Sequence, residues 1–282
     1  MNYRHVFHAG NFADVFKHTL LVRLILHLRR KEAAFRVLDT HAGRGLYRLD
    51  AEEARRTGEW REGIGRVLDA TFEPSVAALL DPWLASVRQL FSEPEPSYPG
   101  SPLLLQDLTR PQDRLTFCEK VAGEAVALRS ALGRDRRAQV VEGDGWSILQ
   151  GHLPPPERRG LVLIDPPFEE AREFSTIAAA LGAALRRWSS GIYAIWYPVK
   201  SRRDVEGFIR KLSALPAPKI LRVEIGLYEI ERVDRLNGCG FLVVNPPWHF
   251  DEEAASLAAG LGRVLAREGN GTAKLDWVKS EA

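Results

Sequence analysis

The stretch GLVLIDPPF (160–168) reads in two halves. Residues 160–164 are a continuous apolar run, the mark of a strand covered on both faces in a mostly parallel sheet. Residues 165–168 are an acid, two prolines and an aromatic. The prolines end the strand and stiffen the turn that follows it. A buried strand that delivers a carboxylate into a rigid turn points to a ligand site, because open α/β sheets bind ligands at the carboxyl ends of their strands.

Working outward, similar strand-like runs occupy 35–39, 114–119, 138–144, 191–198, 219–229 and 240–247. Helical periodicity falls at 12–31, 101–109, 122–132, 146–151, 170–187, 202–213 and 252–267. This alternation predicts an α/β, Rossmann-like fold with a seven-stranded, mostly parallel sheet, its last two strands close enough to pair antiparallel. Residues 46–96 differ in character. They suggest two polar helices, 51–70 and 74–92, without a strand, closed by Pro94, Pro96, Pro99 and Gly100. The expected organisation is one domain formed by 1–45 and 97–282, with 46–96 as a helical insertion. Ser101-Pro102 has the form of an N-cap followed by a first-turn proline.

Composition narrows the class. The chain has 282 residues, 45% of them hydrophobic, and no apolar run long enough for a membrane span. The start, MNYRHVFHAGNFADVFKH, lacks a signal peptide's apolar centre, so a cytoplasmic location is expected. Two cysteines, Cys118 and Cys239, cannot form a disulfide framework or a paired zinc motif. The formal net charge of +2 is nearly neutral, yet basic residues cluster at 29–31, 134–137, 158–159, 186–187 and 200–203. Clusters sharing a face would attract phosphates.

The strand ends carry an acidic pattern: Asp39 before Thr40-His41-Ala42-Gly43-Arg44-Gly45, then Glu119, then Asp144-Gly145, then Asp165. Glycines allow close backbone approach to a ligand. Glu119 suits ribose hydroxyls, and Asp144 suits an adenine amine. Nicotinamide chemistry is disfavoured, since Gly43-x-Gly45 is followed by Leu46-Tyr47-Arg48 and the third glycine of that fingerprint is missing.

Asp165-Pro166-Pro167-Phe168 resembles the catalytic loop of amino-group methyltransferases. An exocyclic adenine amine is a poor nucleophile because its lone pair is delocalised into the ring. A carboxylate and a proline carbonyl that accept its two hydrogens favour a pyramidal nitrogen, and an aromatic at the fourth position offers a stacking face. Asn245-Pro246-Pro247-Trp248 fits the same loose pattern, but it follows the seventh strand, too late for the catalytic position, and reads as a structural turn. His5, His8 and His18 raise the thought of zinc, but no cysteine or carboxylate nearby completes a usual set, and no metal is expected.

Over nearly its whole length the chain resembles the RlmJ family of 23S rRNA adenine-N6 methyltransferases. The likeness rests on Tyr3-Arg4-His5-x-Phe7-His8-Ala9-Gly10-Asn11-x-Ala13-Asp14-Val15-x-Lys17-His18, on Asp39 through Gly45, and on Tyr98-Pro99-Gly100-Ser101-Pro102. Asp165-Pro166-Pro167, Trp196-Tyr197-Pro198 and Asn245-Pro246-Pro247-Trp248 extend it. The resemblance implies a class I S-adenosylmethionine-dependent methyltransferase acting on one adenine of protein-free 23S rRNA and releasing S-adenosylhomocysteine, with no obligate protein partner. It implies a cofactor site of His18, His41, Gly43, Ser101, Glu119, Asp144, Gly145 and Asp165. The catalytic residues would be Asp165, Pro166 and Phe168, with Tyr3 touching the RNA; the opening segment itself also reads as placing Lys17 toward the nucleic acid. Phe168 departs from the family's usual tyrosine. Other expectations to be weighed are an amino methyltransferase acting on DNA adenine or protein glutamine, and a non-catalytic RNA-binding module.

Overall fold

The computed structural model describes residues 4–170, 172–228, 232, 235–269 and 271–280. The central sheet has eight strands: β1 (Arg36–Asp39), β4 (Arg114–Glu119), β5 (Ala138–Glu142), β6 (Gly160–Ile164), β7 (Ile192–Val199), β8 (Ile220–Gly226), β9 (Gly238–Val244) and β10 (Thr272–Lys279). A separate two-stranded ribbon joins β2 (Leu46–Arg48) to β3 (Ser97–Pro99). The helices are α1 (Phe12–Arg29), α2 (Glu52–Thr57), α3 (Ile64–Asp69), α4 (Pro74–Phe91), α5 (Ser101–Leu108), α6 (Ala122–Leu132), α7 (Gly145–Gly151), α8 (Glu173–Arg187), α9 (Arg202–Ser213) and α10 (Phe250–Leu265).

The strand order in the sheet is β10-β8-β9-β7-β6-β1-β4-β5. From β1 the chain moves outward to β4 and β5, then returns to β6 on the other side. Strands β5, β4, β1, β6 and β7 run parallel. β9 then runs antiparallel to both β7 and β8, as the short connection suggested. The switch point lies between β1 and β6, where a crevice opens at the carboxyl ends.

Alternate residues of the parallel strands face opposite layers. Leu161 and Leu163 join a core with α1, α4, α5, α6 and α10. Val162 and Ile164 join a second core with α7, α8 and α9. α1 is apolar almost all round and buried along its length. Asn11 caps it, its side chain accepting from Ala13 N at 2.9 Å and Asp14 N at 3.2 Å, a contribution of about 1 kcal/mol.

Three sequence expectations needed correction. The sheet has an eighth strand, β10, whose charges (Lys274, Asp276) hid it; as an edge strand it stays polar, and Asp276 receives Arg222 in two 2.7 Å bonds. The segment 46–96 does contain a strand, β2, too short to show a period. The helix expected over 51–70 is broken by Gly58, left-handed at φ +62°, and by Gly63, where a Cβ would stand 2.2 Å from the Gly10 carbonyl oxygen. Among the described residues no helix is long and apolar enough to cross a membrane.

Candidate active site

At the carboxyl edge of the parallel strands lies a cavity of about 1370 Å³. Its floor is the loop after β1. Gly43 takes φ +64°, and a Cβ there would fall 2.2 Å from the Tyr47 hydroxyl. The Gly43 N–H donates to Glu119 Oε2 at 2.9 Å, and Val121 N donates to Oε1 at 2.7 Å. Glu119 therefore ties the glycine loop to the end of β4 while lining the cavity. At the end of β5, Asp144 caps α7, its Oδ2 accepting from Ser147 N at 3.2 Å. Gly145 follows because a Cβ would meet the Thr40 carbonyl at 2.2 Å.

Ser101 departs from its expected role. Gly100 is the N-cap of α5; Ser101 sits inside the first turn and donates its hydroxyl to Asp39 Oδ2 at 2.7 Å. His41 N donates to the other oxygen at 3.2 Å. Burial pushes Asp39 up to about 6, against the pull of these two bonds. The imidazoles go the other way. Burial pushes His18 down to about 3 and His41 to about 4, so both are neutral at pH 7. His18 Nδ1 lies 2.9 Å from the Tyr98 hydroxyl; His41 Nδ1 lies 2.8 Å from Thr40 Oγ1, its ring edge-on to Trp146.

The turn after β6 forms one wall. Asp165 is partly exposed, Pro166 is buried, and Phe168 adopts a left-handed φ of +51°. That strained backbone sets the Phe168 ring edge-on to Phe174 and Trp196, at 5.4 and 5.6 Å between centroids. Lys17 Nζ reaches Asp165 Oδ2 at 2.5 Å and Asp14 Oδ1 at 2.9 Å. Asp14 Oδ2 in turn accepts from His5 Nε2 and Gly10 N, both at 2.9 Å. Burial would depress the Lys17 ammonium, but the two carboxylates outweigh it and hold it well above its ordinary value. Burial would likewise lift Asp14, yet His5 and Lys17 hold it well below.

All the sequence-chosen cofactor residues line this single cavity, as do Pro166, Phe168 and Lys17. Lys17, expected to meet RNA, is only 6% exposed, and its ammonium is occupied by two carboxylates. Tyr3 lies outside the described residues. The histidines of the opening segment make different hydrogen bonds, His5 to Asp14, His8 to Glu59 and His18 to Tyr98, though His18 Nε2 also stands 3.9 Å from Asp14 Oδ1. Sequence reading missed Asp14 as the clamp behind Lys17. The available signal was an acid and a base three residues apart on an otherwise apolar helix.

Asn245-Pro246-Pro247-Trp248 stands at the opposite edge. β9 is antiparallel to β7, with Val244 opposite Tyr193, so the motif emerges where the parallel strands begin. The Asn245 amide donates to the carbonyls of Ser189 and Gly191, each at 2.8 Å, and Trp248 is 79% exposed.

Comparison with known proteins adds a family to this geometry. A family model described as "Ribosomal RNA large subunit methyltransferase D, RlmJ" matches residues 32–279. The chain is 37% identical over 282 residues, the whole of both proteins, to the "Ribosomal RNA large subunit methyltransferase J" of Escherichia coli strain K12. It is 36% identical over 281 residues, again covering both chains fully, to the protein of the same name in Haemophilus influenzae. A crystal structure of protein LPL1258 from Legionella pneumophila superposes with a TM-score of 0.87 at 34% identity, covering 95% of this chain and 98% of that one.

Proposed function

Since the chain belongs to the RlmJ family of ribosomal RNA large subunit methyltransferases, we propose that it methylates the N6 amine of one adenine in 23S rRNA, in the cytoplasm and before ribosomal proteins cover the site. The observation that carries this reading is Asp165-Pro166 at the mouth of the switch-point cavity, with Lys17 locked onto Asp165.

The cavity suits S-adenosylmethionine. Its lining includes the strand-end carboxylates Glu119, Asp144 and Asp165, fitting a ligand that carries a sulfonium and an ammonium, and Gly43 and Gly145 leave space where a Cβ could not stand. Glu119, Asp144 and the neutral imidazoles of His18 and His41 would hold it, with Ser101 acting through Asp39. When bound, S-adenosylmethionine supplies an electrophilic methyl group.

The protein's own part is to make a weak nucleophile usable. Asp165 Oδ1 and the Pro166 carbonyl accept the two amine hydrogens, which turns the nitrogen lone pair out of conjugation. Lys17, through Oδ2, fixes the plane of the carboxylate, so positioning is completed before the adenine arrives. If the amine took the methyl group as its bond to sulfur broke, with S-adenosylhomocysteine leaving, Asp165 would accept the surplus amine proton and pass it to solvent. Phe168 and Trp196 provide the faces against which a base taken out of its stack is held.

The helical segment 46–96 is read as an insertion into the domain formed by 1–45 and 97–282. The chain leaves and returns at one point, with Gly100 N donating to the Gly45 carbonyl at 2.7 Å, which supports that division.

The test is methylation of protein-free 23S rRNA, with parallel reactions on adenine-containing DNA and on a glutamine peptide, read by nucleoside and peptide mass spectrometry. The expected product is N6-methyladenine at one position of the rRNA. Methyl incorporation confined to DNA or peptide, or none at all, would overturn the reading.

A further inference from the structure

At the carboxyl edge the cavity mixes signs: Glu169, Glu170 and Glu173 stand beside the strand-end carboxylates, and Lys120, Lys200, Arg235 and Arg267 line it too. At the amino edge basic residues form a row. Each of five neighbouring strands, in the order β7, β6, β1, β4, β5, is preceded by arginine: Arg186-Arg187, Arg158-Arg159, Arg29-Arg30, Arg110 and Arg134-Arg136-Arg137. Four gaps between strands span about 19 Å.

These arginines serve two purposes. Some knit the edge together: Arg110 donates to the carbonyls of Lys31 and Ala33, Arg159 to those of Leu28 and Ala33, Arg137 to those of Gln106 and Thr109, and Arg187 to that of Leu153. They also consume acids, Asp113 by Arg110 and Asp135 by Arg137. The rest stand free. Arg29, Lys31, Arg134, Arg136, Arg158 and Arg186 are exposed, and among the described residues none has an ion-pair partner. Arg29 and Arg186 suit the C-termini of α1 and α8. Arg158 has no such helix to serve, standing in the loop before β6 at φ +52°. The exposed Trp248 ring emerges at this same edge, beside the start of β7.

We propose that the amino edge is a second RNA-binding surface, which grips the phosphate backbone of the substrate RNA at a segment remote from the target adenine. The inference rests on the rRNA reading above. Its physical basis is the row itself: exposed cations without ion-pair partners, set along the starts of neighbouring strands, attract a phosphate chain in addition to the basic residues that line the cavity. Binding here is sequence-independent and driven by counterion release. Trp248 adds a ring for an unpaired base.

The experiment uses the full chain with Arg134→Glu, Arg136→Glu and Arg158→Glu combined, and separately Trp248→Ala. Binding of protein-free 23S rRNA is measured by filter retention across a salt series, and methylation is measured on that RNA and on a short hairpin carrying the target adenine. Reversal of the three charges is expected to weaken rRNA binding at least about tenfold and to lower the slope of log affinity against log salt by about 2–3. Turnover on the short hairpin stays at the wild-type value. Trp248→Ala weakens rRNA binding by a smaller factor. Thermal unfolding and cofactor binding check that the variants are folded, and Arg→Ala at the same positions replaces the reversals if they are not. Unchanged affinity and salt slope, or equal losses on hairpin and rRNA, overturn the proposal. A wild-type protein that methylates neither RNA, yet binds rRNA through these arginines, would instead sink the adenine reading and leave the surface standing.

Discussion

Asp165-Pro166-Pro167-Phe168 and Asn245-Pro246-Pro247-Trp248 share a pattern, an apolar strand before them and a left-handed residue within them, at Phe168 (φ +51°) and Asn245 (φ +55°). Their surroundings have little in common. The first turn opens on a large cavity, where its carboxylate meets a buried ammonium. The second lies at the far edge, where its amide is spent on the carbonyls of Ser189 and Gly191. A short motif supplies rigidity and a polar group. What that group does depends on the direction of the strand that delivers it.

Substituting each motif separately tests the contrast most severely. Asp165→Ala should lower rRNA methylation by at least about a thousandfold, since it removes both the acceptor and the anchor of Lys17, while cofactor binding by calorimetry persists. Asn245→Ala should leave turnover within about twofold and cost about 1–2 kcal/mol in denaturant unfolding. Comparable activity losses in the two variants would erase the distinction.

Lys17→Met sharpens the account of the first site. It leaves Asp14 buried beside a missing charge, so a stability loss of about 3–5 kcal/mol is expected. Turnover should fall by about a hundredfold at temperatures where the variant remains folded, mainly in kcat, because the carboxylate is misdirected rather than absent. A variant with full kcat would remove Lys17 from the positioning of Asp165.

The aromatics come next. Phe168→Ala should raise KM for RNA about tenfold, in line with about 1–3 kcal/mol for one stacked base, and Phe168→Tyr should restore it. Trp248→Ala should not change KM for a short hairpin. A similar rise for both would mean that neither ring is specific to the reacting base.

The smallest effect concerns acid stability. His18 and His41 titrate near 3 and 4 in the fold, below the unfolded value near 6.5. Between those limits the unfolded chain binds more protons, so stability is complete above about pH 6.5 and declines as pH falls, by about 2 kcal/mol per imidazole at pH 5. Asp39, raised to about 6, opposes this, gaining stability as pH drops from about 6 toward 4. His18→Gln should flatten the decline between pH 7 and pH 5 by about 2 kcal/mol. An unchanged slope would show that the imidazole is not held neutral.

Much of the fold was legible because its signals are local. Apolar strands and periodic helices announced the parallel core, and α6 and α9 begin and end where the pattern expects. β10 was hidden because an edge strand is charged where core strands are apolar, and β2 because three residues show no period. The site was legible as a set of strand-end acids and glycines, but individual tasks were not. Ser101 was expected to cap a helix and instead holds Asp39; Lys17 was expected to face RNA and instead faces Asp165.

Residue order alone established the layered α/β architecture, the stiff acid-proline turn and the acids at successive strand ends, since each arises from periodicity or from residues adjacent in the chain. Only the folded molecule assigned one proline pair to the cavity and the other to the back, joined Asp14 to Asp165 through Lys17 across 150 intervening positions, and drew arginines from separate loops into one row at the amino edge. Those outcomes depend on strand direction and on contacts distant along the chain, which no local pattern encodes.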